Sequence, residues 1–366
     1  VEILEELKSR LRGADELVLQ APPGAGKTTV VPLALLDEPW VAGRKILVLE
    51  PRRMAARASA QRMAQLLGEK PGDTVGFRIR LDSCVGEHTR IEVITEGILT
   101  RQLQRDPGLE EVALVIFDEF HERNLDSDLC LALALQGREL FREGPPLKLL
   151  VMSATLDSES VATLMGGAAL LTSQGRQYPV TTHYGPNYEL REPIAPLVIQ
   201  AVQHAIANHE GSILVFLPGQ REINRVARGL AEILRDSELG SQLLIAPLYG
   251  SLNLDRQQQA IQPPPVGKRK VVLATNVAET SLTIEGIEVV IDSGLVREAI
   301  FDAATSMTRL ATRRISRASA RQREGRAGRL GPGHCYRLWS EEQDARLVAH
   351  TSPEILQADL APLALQ

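Results

Sequence analysis

Two glycines, a lysine and two threonines stand together in the run Ala21-Pro22-Pro23-Gly24-Ala25-Gly26-Lys27-Thr28-Thr29. Small residues let backbone N–H groups close around phosphate oxygens, and a helix opening after them adds positive potential. A lysine at this point reaches β- and γ-phosphates, and the hydroxyl after it can ligate Mg2+. Ala21 replaces the first glycine of the G-x-x-x-x-G-K-[ST] pattern, a minor departure. Pro23, Gly24, Ala25, Gly26, Lys27, Thr28 and Thr29 are therefore the expected nucleotide cradle, with Thr28 on the metal.

A second set of groups closes the apolar run Val115-Ile116-Phe117 with Asp118-Glu119-Phe120-His121. Carboxylates at the C-terminal end of a strand lie where α/β sheets bind ligands. Asp118 would hold Mg2+, mostly through water, and Glu119, beside the metal, would orient and deprotonate an attacking water. An isolated Asp-Glu after a strand is ordinarily a solvated turn; the phosphate loop upstream is what turns it into a hydrolytic pair. His121-Glu122 does not begin a zinc-protease motif, because Leu125 stands where the second histidine belongs.

The third set is basic. Arg309 to Arg329 holds eight arginines and a single acid, Glu324. Within it, Gln322-Arg323-Glu324-Gly325-Arg326-Ala327-Gly328-Arg329 puts Arg326 and Arg329 three apart, on one face if helical. Two guanidiniums in a half of the chain that has no phosphate loop of its own suggest fingers for the site in the other half.

Short apolar runs must carry these groups. The first half has candidate strands at Leu17–Gln20, Lys45–Leu49, Ile91–Thr95, Leu114–Phe117 and Leu147–Met152, with helical patterns between them such as Arg52–Leu67 and Asp126–Phe141. The second half repeats the alternation with Ile213–Leu217, Leu243–Ala246, Lys270–Ala274 and Val289–Asp292. Strands alternating with helices predict an α/β fold of βαβ units with parallel sheets covered on both faces. Val296–Phe301 and Ser306–Leu310 read as a hairpin. The expected layout is a first domain over 1–173, a linker over 174–180, a second domain over 181–348, and over 349–366 the start of a truncated C-terminal accessory region.

The 366 residues suit two domains, and 44% hydrophobic with 24% charged residues is globular composition. A net charge of −5 argues against a protein that coats nucleic acid generally, without excluding local basic patches. Cys84, Cys130 and Cys335 are widely spaced and few, which fits neither a disulfide framework nor a zinc site. No apolar stretch is long enough to span a bilayer and the N-terminus is not a signal peptide, so a cytoplasmic protein without a membrane partner is expected.

Taken in order, these segments resemble the DEAH-box superfamily 2 helicases, and among them the bacterial HrpB-type group. The phosphate loop is motif I; Pro51-Arg52-Arg53-Met54-Ala55-Ala56-Arg57 resembles motif Ia, and Thr95-Glu96-Gly97 motif Ib. Asp118-Glu119-Phe120-His121 is motif II, with Phe where the family name has Ala, and Ser153-Ala154-Thr155 is motif III. Leu217-Pro218-Gly219 resembles motif IV, Thr275–Ile284 is motif V, and Gln322–Arg329 motif VI.

The resemblance implies two tandem RecA-like domains, ATP with Mg2+ as cofactors, and 3′-to-5′ movement along a single strand. It implies a partner that is single-stranded or tailed duplex nucleic acid, RNA favoured, and a monomer. Lys27, Glu119, Gln322, Arg326 and Arg329 would be catalytic. Arg62, Thr283 and Glu285 would lie near the nucleoside, and Arg52, Arg53, Thr95, Thr275 and Asn276 would hold the nucleic-acid backbone. His121, Ser153 and Thr155 would couple the two. Relatives place an aromatic after motif IV against the base, and here Ile261 falls at that position, so loose base selection is expected. Two rivals stay open: a phosphate-loop ATPase of another class, in which motifs Ia and V have no use, and a non-catalytic nucleic-acid scaffold, against which the intact Lys27, Asp118, Glu119, Arg326 and Arg329 argue.

Overall fold

The computed structural model describes residues 3–22, 26–154, 158–173, 175, 178–235, 240, 242–280 and 284–364. The chain divides into two compact units, one of Val1–Gly175 with Ser352–Leu356, the other of Arg176–Thr351 with Gln357–Gln366.

Unit 1 is built on an eight-stranded sheet. Its strands are β1 (Glu16–Gln20), β2 (Lys45–Leu49), β3 (Val75–Ile79), β4 (Asp82–Cys84), β5 (Ile91–Ile94), β6 (Val112–Phe117), β7 (Lys148–Ser153) and β8 (Ala169–Thr172). The spatial order is β4-β3-β5-β2-β6-β7-β1-β8. Every pairing is parallel except β3 with β4. The central strands are apolar at consecutive positions because both faces are covered. Leu17, Leu19, Ile46, Val48, Leu114 and Ile116 join one core, and Val18, Leu47, Leu49, Val115 and Phe117 the other. Each such side chain contributes about 1.5–3 kcal/mol on burial.

Unit 2 has a six-stranded parallel sheet of β9 (Val180–Tyr184), β10 (Ser212–Phe216), β11 (Leu243–Leu248), β12 (Arg269–Ala274), β13 (Ile287–Asp292) and β16 (Gly333–Arg337), in the order β11-β12-β10-β13-β16-β9. Ile213, Val215, Val271, Leu273, Val289 and Ile291 pack under the helices Ile194–Asn208 and Gln220–Leu234. A separate antiparallel hairpin joins β14 (Leu295–Asp302) to β15 (Met307–Arg314).

All nine core strands read from the sequence are present, within two residues at each end. The strands that escaped the reading, β3, β4, β8, β9 and β16, are short or mix polar residues into the run, as in Gly333-His334-Cys335-Tyr336-Arg337. The hairpin runs on to Arg314, four residues past the expected Leu310. Thr312, Arg313 and Arg314 pair with Arg297, Val296 and Leu295. A ribbon exposed along much of its length tolerates arginines that apolar counting leaves out.

Candidate nucleotide and nucleic-acid site

In unit 1 the chemistry gathers at the C-terminal ends of β1, β6 and β7. Gly26 precedes the helix Lys27–Leu35 with φ +73°, a left-handed conformation that glycine adopts without strain, and its carbonyl accepts from Val30 N–H at 2.9 Å. The helix start buries Lys27 and turns Thr28 toward β6, where its hydroxyl donates to Asp118 Oδ2. Pro23, Gly24 and Ala25 lie outside the described residues, as do Thr155 and Thr283.

Asp118 and Glu119 are both buried. Glu119 sits at φ +51°, a region that costs a non-glycine residue about 1–2 kcal/mol. Asp118 Oδ1 steadies it by accepting the Glu119 N–H at 2.9 Å. Lys27 Nζ lies 3.7 Å from Glu119 Oε2, an ion pair too long for a hydrogen bond. Burial, reinforced by the Glu119 carboxylate, pushes Asp118 up to about 6, against the pull of Lys27 and the Thr28 hydroxyl. The site thus concentrates more negative charge than Lys27 offsets. A hydroxyl and two carboxylates form a hard, anionic oxygen set that suits Mg2+, which binds through one or two carboxylates together with phosphate oxygens and water. Thr28 and Asp118, with Glu119 beside them, fit that role.

His121 links this centre to β7: the Ala154 N–H donates to its Nδ1 at 3.3 Å, and the same nitrogen lies 3.4 Å from Glu119 Oε2. Ser153, the last residue of β7, is buried. Arg52 grips Glu122 with Nη2 at 3.0 and 3.1 Å from its two oxygens, while Arg53 and Arg62 lie exposed on the helix Arg53–Leu67. Thr95 stands at the position before the helix Glu96–Arg105, with no side-chain capping bond, and is half-buried.

Two acids here have surroundings that the sequence does not reveal. Glu50, directly after β2, is fully enclosed, and its Oε2 has no hydrogen-bond partner among the described residues. Burial first, then the charges of Asp118 and Glu119, hold its carboxyl well above the usual range. Glu96 accepts from the Ser127 hydroxyl at 2.5 Å. Burial drives it up to about 7, opposed by the Ser127 bond and helped by Asp126. Between the ordinary glutamate range and that value the folded chain holds a proton that the unfolded chain has lost, so stability falls as pH rises through this window. Glu96→Gln cannot lose that proton. Its melting temperature relative to the parent should rise from about pH 5 to about pH 8, and a constant difference across that range would contradict the assignment.

In unit 2 the basic run departs from expectation. The helix Arg317–Glu324 stops before Arg326, and Gly325 through Leu330 form turns, so Arg326 and Arg329 do not share a helix face. Gly328 lets the Tyr178 backbone pass close by: a Cβ there would meet the Tyr178 carbonyl at 2.6 Å. Arg326 is buried, with Nε donating to Glu279 O at 2.9 Å and Nη2 to Thr280 O. Arg329 is half-buried, and Gln322 is buried. The residue between them had no assigned role, yet it anchors the region. Arg323 donates to Glu279 Oε2 at 2.8 Å and Asp292 Oδ1 at 2.9 Å, and it lies 4.9 Å from the Phe216 ring centroid. Thr275 is half-buried, Asn276 and Glu285 are exposed, and Ile261 ends the helix Leu254–Ile261 half-buried. Only the charge-dense spelling Arg-Gln-Arg-Glu-Gly-Arg signalled this network, and it does not say which arginine turns inward.

Residues 3–164 match the DEAD/DEAH box helicase family, and residues 197–331 match the helicase conserved C-terminal domain. The chain is 51% identical over 364 residues to the ATP-dependent RNA helicase HrpB of Escherichia coli K12, covering 100% of this chain and 44% of that protein. A crystal structure of Escherichia coli DEAH/RHA helicase HrpB superposes with a TM-score of 0.90 at 51% identity, over 99% of this chain and 45% of that one. A crystal structure of E. coli DExH-box NTPase HrpB gives a TM-score of 0.85 at 51% identity, over 99% of this chain and 44% of the other. The chain thus spans less than half the length of these relatives, and its α/β units are the tandem RecA-like pair the sequence resembled. Among the described residues no helix is long and apolar enough to cross a membrane.

Proposed function

We propose that this chain, which belongs to the DEAD/DEAH-box helicases, hydrolyses ATP with Mg2+ and uses the cycle to move 3′-to-5′ along single-stranded RNA. The observation that carries this reading is the convergence of Lys27, Thr28, Asp118 and Glu119 in unit 1. Lys27 and the helix N-terminus receive the phosphates, Thr28 and Asp118 hold the metal, and Glu119 takes a proton from the attacking water. The metal that Thr28 and Asp118 would hold would supply charge neutralisation at the phosphate oxygens. Arg326 and Arg329 supply further transition-state charge, and Gln322 steadies the γ-phosphate or the water.

Arg52, Arg53, Thr95, Thr275 and Asn276 hold backbone phosphates, which positions a strand without reading its sequence. His121, through its bond to Ala154, and Ser153 with Thr155 pass the state of the nucleotide to that strand. Arg62, Thr283 and Glu285 border the nucleoside, and Ile261 gives the base only an apolar face, so nucleotide choice is loose. The protein acts as a cytoplasmic monomer on single-stranded or tailed duplex RNA.

A duplex with one single-stranded tail tests the direction of movement. Preference for a 3′ tail is expected in an unwinding assay on the full-length protein, and preference for a 5′ tail would contradict it.

A further inference from the structure

Away from all of these motifs, unit 2 contains a cavity of about 780 Å3. Its charged wall is Arg191, Arg314 and Arg346, set against a single acid, Glu189. Its floor is apolar, made by Leu190, Ile315, Leu347 and Val348. Three guanidiniums on an apolar base form an anion receptor with room for more than the anion.

The receptor is built rather than accidental. Arg314, at the end of β15, donates through Nη2 to Tyr188 O, and its guanidinium stands 5.8 Å from the Tyr188 ring centroid. Gln343 clamps the same residue from both sides, accepting the Tyr188 N–H at 3.1 Å and donating to the Tyr188 carbonyl at 2.9 Å. Arg317 pins the opposite wall: its Nη2 donates to Ala345 O at 3.0 Å, and its backbone N–H to Val348 O at 2.8 Å. In this frame Arg314 Nη1 is buried and finds no hydrogen-bond partner among the described residues. A buried N–H of a guanidinium left without an acceptor is costly, and an oxygen acceptor that enters the cavity would satisfy it. Burial pulls the Arg314 pKa down while Glu189 opposes, and an arriving anion would restore what burial takes.

We propose that this cavity is an additional RNA contact, with Arg191, Arg314 and Arg346 taking a phosphodiester and the apolar floor taking the adjoining ribose and base. The proposal rests on the reading of the chain as an RNA helicase. A strand of phosphodiesters fits better than a lone protein carboxylate because exposed Arg309 and Arg313 carry further positive charge on β15, as a polyanion with repeated phosphates would require.

The test uses Arg191→Glu with Arg346→Glu, both exposed positions, in the full-length protein. The probe is a fluorescent oligouridine titrated at several salt concentrations. The double variant should bind about tenfold or more weakly, with a salt slope shallower by about 1–2, and should keep the RNA-free ATPase rate. Arg314→Lys should lose part of the affinity without lowering that rate. If the parent binds oligouridine and the double variant matches it in affinity and slope, the cavity is not an RNA contact and the helicase reading stands. A parent that binds no oligouridine overturns both. If polyglutamate binding falls in the double variant while oligouridine binding does not, the cavity serves an acidic protein segment and the proposal is wrong.

Discussion

Glu119→Gln should still bind ATP but hydrolyse it about 10²–10⁴-fold more slowly, the usual cost of losing a positioned base. The amide keeps the size and the left-handed backbone position held by Asp118 but cannot accept the proton. It also removes one negative charge from a centre already strained enough to raise Asp118 to about 6, so nucleotide affinity should hold or improve. Lys27→Ala has the opposite signature. It removes the cation 3.7 Å from Glu119 and the group meant for the phosphates, so binding fails first and hydrolysis with it. Fluorescent-nucleotide binding and phosphate release, measured side by side, separate the two cases. Near-normal turnover in Glu119→Gln would remove that residue from the role of base.

Arg326→Ala and Arg329→Ala should each reduce hydrolysis by about 10³-fold or more while sparing ATP binding, since a finger acts on charge that exists only in the transition state. The structure adds a distinction between them. Arg326 is tied to the carbonyls of Glu279 and Thr280, so its removal strips two acceptors and should cost roughly 1–3 kcal/mol of stability as well. Arg329 is less enclosed, so its loss should lower the melting temperature less than the loss of Arg326 does. Single-turnover hydrolysis alongside thermal melts would read both effects. A variant that loses ATP affinity at unchanged turnover would contradict the finger role.

Much of this site was legible because its chemistry is spelled locally. Lys27 and Thr28 follow the glycines that shape their loop, and Asp118-Glu119 ends a run apolar enough to be a central strand. Phosphate cradles and strand-end carboxylates need nearest neighbours in sequence, so spacing reveals them. Glu50 did not announce itself, because its neighbours Asp118 and Glu119 come from another strand and only the β2–β6 pairing brings them together. Glu96 was read as part of a nucleic-acid motif, but its partner Ser127 lies on a different helix. A spacing of three puts Arg326 and Arg329 on one face only if the segment is helical, but the helix ends at Glu324, and Gly328 then passes too close to the Tyr178 carbonyl for a Cβ, a proximity that spacing does not encode. The edge strand β9 and its neighbour β16 are hard to read for a related cause: β9 has one partner, and both strands carry polar residues that blur the apolar pattern.

The coupling of hydrolysis to a strand is the centre of this account, and one measurement reaches it directly. The steady-state ATPase rate should be measured with and without single-stranded RNA, for the parent and for Arg53→Glu, an exposed position outside the nucleotide cradle. RNA should accelerate the parent severalfold, and Arg53→Glu should keep the RNA-free rate while needing more RNA to reach the same acceleration. A parent rate indifferent to RNA at every concentration would contradict the account and leave an ATPase of another kind.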